Sequence, residues 1–350
     1  MDILFFAHNS HQYKYFELIR KSLPFKSKVL RVTFSFCKTS KINIDYKLKE
    51  IENKSNNSIY KTFIKFQAPF IYCFYEKMIK KYNPKLVAMW NGIKYPQFIL
   101  NDLTKKMKIK TIFFENGFLP DTTQVDCKGI NFLNSVPRNK EFYENLEYYK
   151  KSLPDKLIPR IPKRKHKGDE IDLDRKYIFI PFQVNYDSQI IKFSLWIKSM
   201  KQFFDLINEI AIMFDFDFLI KVHPSDKIDY SNFKPNKNVY FVTNPTDELI
   251  KNSKAIITIN SSVGIESLLF QKKVITVGNA FYNIEGIVQN VKNKNELINI
   301  LKNIDKWQLD IKLIKNFLGY LYYEYLIPKS WKNPNQEHFN KLLNRINQCI

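Results

Sequence analysis

The stretch Ile112-Phe113-Phe114-Glu115-Asn116-Gly117-Phe118-Leu119-Pro120 decides how the rest of this chain is interpreted. A run of apolar residues ends abruptly in a carboxylate, an amide and a glycine. This pattern is typical of a buried strand that delivers polar side chains to a cleft. Glu115 is therefore the first candidate for chemistry, and the alternative is an ordinary turn with a solvated carboxylate. The choice depends on whether the remaining sequence builds a cleft around it.

Short apolar runs alternate with helical patterns along most of the chain, which predicts parallel sheets with crossover helices. The predicted strands are Ile3–Ala7, Val29–Phe36, Leu86–Trp90, Thr111–Phe114, Tyr177–Pro181, Phe216–Val222, Val239–Val242, Ala255–Ile259 and Val274–Val277. A helix is predicted over Ser194–Phe214, and the tail from about residue 295 to 350 is predicted to be helical throughout. Residues 41–58 are polar and are predicted to form a loop and a helix.

The predicted fold class is α/β, with two Rossmann-like, doubly wound domains. Residues 1–155 form the first domain, 156–175 a basic, proline-containing linker, 176–305 the second domain, and 306–350 a helical tail that packs back on the first domain. Two such domains facing a cleft, with C-terminal helices crossing back, describe the GT-B glycosyltransferase architecture. The basic run 163–167 favours a solvated linker, and contact with anionic lipid head groups is the alternative.

Composition limits the partners and the compartment. The chain has 56 Lys and Arg against 34 Asp and Glu, a net charge of +22, which favours a polyanionic partner. No nucleic-acid-binding motif is present, so an acidic substrate or the anionic inner-membrane surface is preferred over nucleic acid. Four widely spaced cysteines predict neither a zinc site nor a disulfide framework, and favour a reduced, cytoplasmic setting. No apolar run is long enough to span a membrane, so any membrane association would be peripheral.

Polar clusters follow the predicted strands, where ligands bind to open parallel sheets. These clusters are His8–His11, Asn91-Gly92, Glu115–Gly117, Gln183–Gln189, His223-Pro224 and Asn260–Gly264. Six such clusters on two predicted sheets favour a ligand cleft. Glu115 then becomes a candidate for catalysis rather than a solvated turn residue.

Two of these clusters suit an anionic ligand. Ser261 and Ser262 lie between a strand and a helix, where hydroxyls and backbone N–H groups bind anions, although a serine there also serves as an ordinary helix cap. His223 follows a strand of the same sheet, after Lys221, and could donate to a phosphate or ribose oxygen. A structural role is the alternative for this histidine.

Asp187 and Glu115 form a carboxylate pair drawn from the two predicted domains. Glycosyl transfer uses such a pair, in which one carboxylate attacks or stabilises the anomeric carbon and the other exchanges a proton with a hydroxyl. For Asp187 alone, the simpler interpretation is a residue that caps a loop.

Several motifs give the chain a family resemblance. They are Phe114–Pro120 with Thr123–Asp126, Lys128–Asn131 and Ser135, then Pro181–Val184 with Asp187–Ile190, and finally His223-Pro224 and Ser261-Ser262. The chain resembles the bacterial capsule-polysaccharide-biosynthesis family over about residues 86–290, and within it the retaining β-Kdo transferases. The last two pairs resemble the CMP-binding motifs of bacterial GT-B sialyltransferases.

The resemblance implies that the chain transfers Kdo from CMP-Kdo to a cell-surface glycan or glycolipid, without a metal or another cofactor. Asp187 would be the nucleophile of a covalent intermediate and Glu115 the acid/base. The resemblance implies a CMP site formed by His223, Pro224, Ser261, Ser262 and Lys221. Sugar contacts would come from Asn91, Asn116, Gly117, Gln124, Asn131 and Gln189. There are two alternatives. The donor could be another CMP-ulosonate such as CMP-sialic acid, or the chain could be a non-catalytic assembly protein that associates with glycans or membranes.

Overall fold

The computed structural model describes residues 1–33, 58–158, 167–185 and 187–350. Two compact units make up the chain. The first comprises Met1–Gly117, Asp121–Ser135 and Leu326–Ile350, and the second comprises Phe118–Pro120 and Val136–Tyr325. The predictions for residues 41–57 and for most of the basic run 163–167 fall outside the described residues.

Twelve strands are present in the described chain. They are β1 Ile3–Ala7, β2 Ser27–Arg31, β3 Leu86–Trp90, β4 Lys110–Asn116, β5 Thr122–Asp126, β6 Tyr177–Pro181, β7 Asp217–Lys221, β8 Val239–Phe241, β9 Ala255–Thr258, β10 Lys273–Thr276, β11 Gln289–Asn290 and β12 Ile327–Pro328. The α-helices are α1 Ser10–Ser22, α2 Ser58–Tyr82, α3 Gln97–Lys106, α4 Glu141–Glu144, α5 Ser188–Phe193, α6 Met200–Ala211, α7 Thr246–Asn252, α8 Ser262–Leu269, α9 Lys294–Lys302, α10 Ile311–Gly319 and α11 Gln336–Cys349. Short 3-10 turns cover Asn131–Leu133 and Tyr148–Lys150, and a π-helical turn covers Tyr320–Tyr325.

The first unit is built on a six-stranded sheet in the order β2-β1-β3-β4-β5-β12. The strands from β2 to β4 are parallel, whereas β5 is antiparallel to both of its neighbours. Successive residues of β1 face opposite sides of the sheet. Phe5 packs on Phe16 of α1, and Phe6 packs on Tyr75 of α2. Helices on both faces explain why β1 and β3 are continuous apolar runs rather than alternating ones.

The second unit has a six-stranded, fully parallel sheet in the order β8-β7-β6-β9-β10-β11. Counted from β6, the chain adds two strands on one side and then three on the other. The order therefore reverses between β6 and β9, which is the position where doubly wound sheets bind ligands. In the first sheet the corresponding reversal lies between β1 and β3. The predicted α/β class with two doubly wound sheets is confirmed.

Three predicted elements differ from the observed ones, and strand β5 was not predicted. The helix predicted over 194–214 is shorter and covers Met200–Ala211, because Ser199 caps it by accepting from the Gln202 N–H at 3.1 Å and the preceding helix α5 has already ended at Phe193. The second strand ends at Arg31, and residues 34–36 of its predicted range lie outside the described residues. The tail is not helical throughout, since it contains β12. Strand β5 was not predicted, because its sequence, Thr-Thr-Gln-Val-Asp, is polar although all five residues are buried.

The boundaries of the two units also differ from the predicted domain limits of 155 and 305. The chain leaves the first unit after Ser135 and returns at Leu326. Residues 136–150 belong to the second unit because they pack on α10. There the buried Asn316 amide donates to the carbonyls of Tyr143 and Leu146, at 2.9 and 2.6 Å.

A disulfide joins Cys127, which follows β5, to Cys349 at the end of α11, with the two Cα atoms 5.7 Å apart. The prediction that the cysteines form no disulfide is therefore wrong. The two residues are 222 positions apart in sequence, and they meet because α11 returns to the first sheet. Their spacing could not reveal the pairing. Among the described helices, none is long and apolar enough to cross a membrane.

Candidate functional site

Two loops at the C-terminal edge of the second sheet are joined by a pair of amide side chains. Gln183 follows β6, and Asn260 follows β9. The Gln183 Nε2 donates to the Asn260 Oδ1 at 3.0 Å, and the Asn260 backbone N–H donates to the Gln183 Oε1 at 3.2 Å. This reciprocal pair spans the point where the strand order reverses. It fixes the loop that carries Asp187 relative to the turn that carries Ser261.

Asp187 caps the N-terminus of α5. Its Oδ1 accepts from the Gln189 N–H at 2.9 Å, and its side chain is half-buried. Asp187 therefore has the capping role that was the simpler interpretation of its position. It also orients the carboxylate, since only one of its oxygens is used by the cap. Gln189 itself is buried, and its carbonyl accepts from the Asn260 Nδ2 at 2.9 Å, so it forms part of the same network.

His223 follows β7, the strand on the other side of β6. Its Nδ1 accepts from the Ser225 N–H at 3.1 Å, which assigns the proton of a neutral ring to Nε2. The turn after Pro224 is held by Asp226, which is fully buried and accepts from the Tyr230 hydroxyl at 2.6 Å and the Lys227 N–H at 2.7 Å. Asp226 was not among the predicted site residues, because the sequence pattern around it does not indicate burial.

Ser261 and Ser262 open α8 at the end of β9. Ser261 caps the helix by accepting from the Val263 N–H at 3.2 Å, and Ser262 is its first residue. Both side chains are half-buried. Gly264 is required by packing, because a Cβ there would lie 2.5 Å from the Tyr282 hydroxyl oxygen. The hydroxyls of Ser261 and Ser262 therefore lie at the N-terminus of α8, which can bind an anion.

Lys221 differs from the other predicted residues of this group. Its ammonium donates to the backbone carbonyl of Asn244, whose own amide is tied to Ile171. The side chain therefore contributes to the internal bonding of the second unit beside β8. Asp187, His223 and the two serines are brought to one edge, on the three adjacent strands β9, β6 and β7.

In the first unit, Glu115 ends β4 and its carboxylate is held by side chains from two strands. Oε2 accepts from the Asn91 Nδ2 at 2.8 Å, and Oε1 accepts from the Trp90 Nε1 at 3.3 Å. Oε1 also accepts from the backbone N–H and the Nδ2 of Asn116, both at 3.1 Å. The half-buried carboxylate therefore has a fixed orientation at the carboxyl end of the sheet.

The turn after β3 explains why Asn91 can reach Glu115. Asn91 is buried and has a left-handed backbone, with φ of 65°, and its Oδ1 accepts from the N–H groups of Ile93 and Lys94. Gly92 follows with φ of 76°, and a Cβ there would lie 2.4 Å from a ring carbon of Phe113. Asparagine and glycine are the residues that adopt this conformation most easily.

The second half of the family motif builds a loop rather than an open surface. Asp126 is buried, and its carboxylate accepts from the N–H groups of Lys128, Gly129 and Ser135 and from the Ser135 hydroxyl. Gln124 is also buried, and its Oε1 accepts from the Asn131 N–H at 3.3 Å. These placements favour a positioning role for Gln124. Sequence alone could not separate such a role from sugar contact.

Gly117 lies where β4 turns towards β5. Its N–H donates to the Thr122 carbonyl at 3.1 Å, and a Cβ would lie 1.9 Å from the Thr122 hydroxyl oxygen. The glycine therefore allows the two strands to approach directly after Glu115 and Asn116. Its contribution to the candidate site is a close backbone contact.

Two more residues of the first unit, His8 and Trp331, had no predicted role in the site. His8 ends β1, and its Nε2 lies 2.7 Å from the Tyr75 hydroxyl, while its buried Nδ1 has no hydrogen-bond partner. Burial lowers the pKa of His8 to about 4, so the ring is neutral at pH 7. Trp331, from the loop after β12, donates its Nε1 proton to the Asn116 Oδ1 at 2.8 Å. No local sequence signal connects residue 331 with residue 116.

Among the described residues, no group of three or more His, Cys, Asp or Glu side chains is arranged to hold a metal ion. Independence from metals therefore stays a prediction.

Comparison with known sequences matches residues 144–327 to the family described as capsule polysaccharide biosynthesis protein. Asp187, His223, Ser261 and Ser262 lie inside the matched range, whereas Glu115 lies before it. Protein FixF of Sinorhizobium fredii is 34% identical over 304 residues, which cover 85% of this chain and 73% of FixF.

Two solved structures of Thermosulfurimonas dismutans KpsC share the fold. The one described as a β-Kdo 2,7 transferase has a TM-score of 0.51 and 15% identity, and covers 98% of this chain and 99% of its own. The one described as a β-Kdo 2,4 transferase has a TM-score of 0.52 and 15% identity, and covers 99% of this chain and 98% of its own. The likeness confirms the predicted GT-B type of fold.

Proposed function

Because this chain belongs to the capsule polysaccharide biosynthesis family, we propose that it is a glycosyltransferase that uses a CMP-activated ulosonic acid, with CMP-Kdo as the donor. The acceptor is a saccharide or glycolipid of a surface glycan. One observation carries the proposal. Asp187, His223 and Ser261 end three adjacent strands at the point where the order of the second sheet reverses.

The donor is a dianion near neutral pH, since it carries one phosphodiester and one sugar carboxylate. The helix terminus at Ser261 and Ser262 suits the phosphate, because N–H groups and hydroxyls bind anions there. His223 suits a ribose or phosphate oxygen, since its Nε2 bears the proton. The net charge of +22 favours approach of a dianionic donor and of an acidic glycan.

The reaction has two displacements at C2 of the sugar. First, an Asp187 oxygen forms a bond to C2 while the bond from C2 to the phosphate oxygen breaks, and CMP leaves. An acceptor hydroxyl then attacks C2, the bond to Asp187 breaks, and Glu115 accepts the hydroxyl proton. Each displacement inverts the configuration, so the product keeps the configuration of the donor. Without a base at the acceptor hydroxyl, the second step is expected to be about 10²–10⁴-fold slower.

Intact mass spectrometry tests the mechanism directly. The Glu115→Gln variant, incubated with CMP-Kdo, is expected to accumulate one covalent Kdo residue, because it forms the intermediate and cannot activate the acceptor. Asp187→Asn is expected to gain no mass. Asp205→Asn, which changes an exposed carboxylate on α6, serves as the matched control and should behave as the wild type.

Peptide mapping should locate the added mass on Asp187, and a Kdo adduct on another residue contradicts the assignment. If neither the wild type nor Glu115→Gln releases CMP from CMP-Kdo, the same assay with CMP-sialic acid decides between a different donor and a non-catalytic protein. Release of CMP from no ulosonate donor removes the proposal as a whole.

We further propose that the enzyme acts against an anionic membrane surface, where a lipid-linked acceptor would lie. One side of α2 exposes Tyr60, Phe63 and Phe66, with 41%, 53% and 64% of their surfaces accessible. They recur every third residue on a helix that also carries several lysines. Flotation with phosphatidylglycerol vesicles should recover the wild type and lose the Phe63→Ser/Phe66→Ser variant. Leu195→Ser, an exposed apolar residue elsewhere, is the control, and equal flotation of all three proteins contradicts this part.

A further inference from the structure

Trp331 lies against the candidate catalytic carboxylate although it comes from the end of the chain. Its ring centroid is 4.6 Å from that of Trp90 and 5.9 Å from that of Tyr15. Both neighbours are buried, whereas Trp331 is half-buried, with the Lys332 Nζ 6.0 Å from its ring centroid. The half-buried indole is therefore the outermost member of an edge-to-face aromatic cluster at the carboxyl end of the first sheet.

Two indole groups connect this aromatic cluster to Glu115. Trp90 donates directly to the Glu115 Oε1. Trp331 donates to the Asn116 Oδ1 at 2.8 Å, and the Asn116 Nδ2 donates to the same Glu115 oxygen at 3.1 Å. Asn116 is exposed, and the Glu115 side chain is only half-buried. A ligand that packs against the half-buried Trp331 ring would therefore have one amide and one carboxylate nearby.

The two residues before Trp331 are held by hydrogen bonds and an ion pair to residues at the start of β5 and in the turn before it. Lys329 pairs with Asp121 at 2.9 Å, and the Ser330 N–H donates to the same carboxylate at 2.9 Å. The Lys329 carbonyl accepts from the Thr123 hydroxyl at 2.9 Å. Partial burial disfavours the charge on Asp121, but the bonds from Lys329 and Ser330 outweigh it, so the pKa of Asp121 lies below its usual value. The indole is thus positioned before any ligand binds.

We infer that Trp331 is the stacking platform of an acceptor subsite for a pyranose sugar. This inference rests on the proposed function, because it assigns to Glu115 the proton of the acceptor hydroxyl. A pyranose has an apolar face of C–H bonds and a polar edge of hydroxyls. The face suits the indole, and the edge suits Asn116 and Glu115. Binding pockets commonly combine an aromatic surface with a few convergent polar groups in this way.

A pair of variants separates stacking from packing. Trp331→Leu keeps an apolar side chain but removes the aromatic ring, and Trp331→Phe keeps a ring. Both variants lose the hydrogen bond to Asn116, so they differ in the ring alone. Trp307→Leu, in the second unit, is the matched control for the loss of a tryptophan.

The binding assay is saturation-transfer NMR with methyl glycopyranosides of glucose, galactose, N-acetylglucosamine and Kdo. We expect transfer to the ring protons of at least one sugar in the wild type, Trp331→Phe and Trp307→Leu, and loss of that transfer in Trp331→Leu. Equal transfer in Trp331→Leu and the wild type overturns the inference. Absence of transfer from the wild type to all four sugars also overturns it.

Kinetics then separate this inference from the proposed function. Donor hydrolysis without acceptor, followed as CMP release from the wild type, tests the proposed function alone. With an acceptor that the wild type uses, KM for the acceptor should rise about tenfold in Trp331→Leu, while KM for the donor stays constant. If the wild type does not hydrolyse the donor, the proposed function is contradicted, whereas the sugar-binding result remains valid. An unchanged KM for the acceptor would contradict the platform alone.

Discussion

The amide pair of Gln183 and Asn260 is expected to contribute both to the stability of the protein and to donor binding. Gln183→Ala removes both hydrogen bonds and leaves the Asn260 Oδ1 and N–H without these partners at a half-buried position. We expect the free energy of unfolding to fall by about 1–3 kcal/mol. We also expect a higher KM for the donor, because the Asp187 loop and the Ser261 turn lose their connection.

Urea unfolding and donor titration measure these two effects separately. Asn252→Ala, which changes an exposed amide at the end of α7, is the matched control. A Gln183→Ala variant with the stability of the control but an altered KM would support a role in the site alone. Equal values for both variants would mean that the pair does not hold the two loops together.

His8 should make the stability of the protein depend on pH. Its pKa is lowered from 6.5 to about 4 because burial disfavours the charged ring. The unfolded chain therefore binds a proton between these two values that the folded protein does not. The stabilising contribution is complete above pH 6.5 and declines as the pH falls, reaching a loss of about 3 kcal/mol at pH 4.

The comparison with His8→Asn isolates this contribution from other titrating groups. The difference in unfolding free energy between wild type and variant should shrink by about 3 kcal/mol from pH 7 to pH 4. Chemical denaturation at several pH values measures it. A difference that does not change with pH would exclude a buried, neutral His8 as the cause.

At the level of elements, the C-terminal helix α11 is tied to β5 in two ways. The Arg345 guanidinium donates to the Val125 carbonyl, and the disulfide connects Cys349 to Cys127. Since the disulfide closes a large loop of the unfolded chain, the Cys127→Ser/Cys349→Ser variant should lose about 2–4 kcal/mol of stability.

Alkylation under denaturing, non-reducing conditions provides the direct check. We expect Cys127 and Cys349 to remain unlabelled and to appear as one cross-linked peptide pair after proteolysis. Labelling of both residues would contradict the disulfide. The matching readout is thermal unfolding, in which the double variant should melt below the wild type.

An element could be predicted when its own sequence is apolar, and could not when residues far away in the chain bury it. Leu86–Trp90 and Tyr177–Pro181 are apolar throughout, so local sequence was sufficient to predict both strands. Strand β5 is buried by β12 and α11, which lie about 200 residues later in the chain. Its side chains are largely polar because they form the internal hydrogen bonds of Gln124 and Asp126. A local pattern therefore could not identify it.

The same reasoning applies to the candidate site. Glu115, Asp187 and Ser261 could be singled out because each one directly follows an apolar run or opens a helix. Trp331 and Asp226 could not, because the first depends on the return of the chain to the first sheet and the second on a buried turn. Trp331 could not be identified because its partner Asn116 lies 215 residues away in sequence, whereas the partners of Asp226 are local and only its burial is absent from the sequence pattern.

For the whole molecule, the first unit requires residues that the chain supplies at opposite ends. A protein truncated after Tyr325 lacks β12, α11 and the Trp331 loop. The apolar face formed by Phe5, Phe114 and Val125 would then lose the cover of Leu342 and Ile346. We expect the truncated protein to lose the protection of β3 and β4 against hydrogen exchange, while β6, β7 and β9 keep theirs.

Hydrogen exchange with peptide-level mass spectrometry resolves the two units in one experiment. The full chain with a C-terminal affinity tag is the control for a changed end. Equal protection of β3 and β4 in the truncated and full chains would mean that the first unit does not depend on residues 326–350. Loss of protection in both sheets would mean that the second unit does not fold independently of this segment.

Because the first unit is built from three separate segments of the chain, it cannot be completed until translation is nearly finished. During translation, residues 136–325, which number 190, emerge after most of the first sheet and before its last strand and helix. At ribosomal rates of 5–20 residues per second, this delay is about 10–40 s. During this delay the apolar face of the N-terminal sheet lacks the cover of α11, although the second unit can already fold. The half of the protein that is made first is therefore the half that is completed last, and chaperones on the ribosome should bind it there.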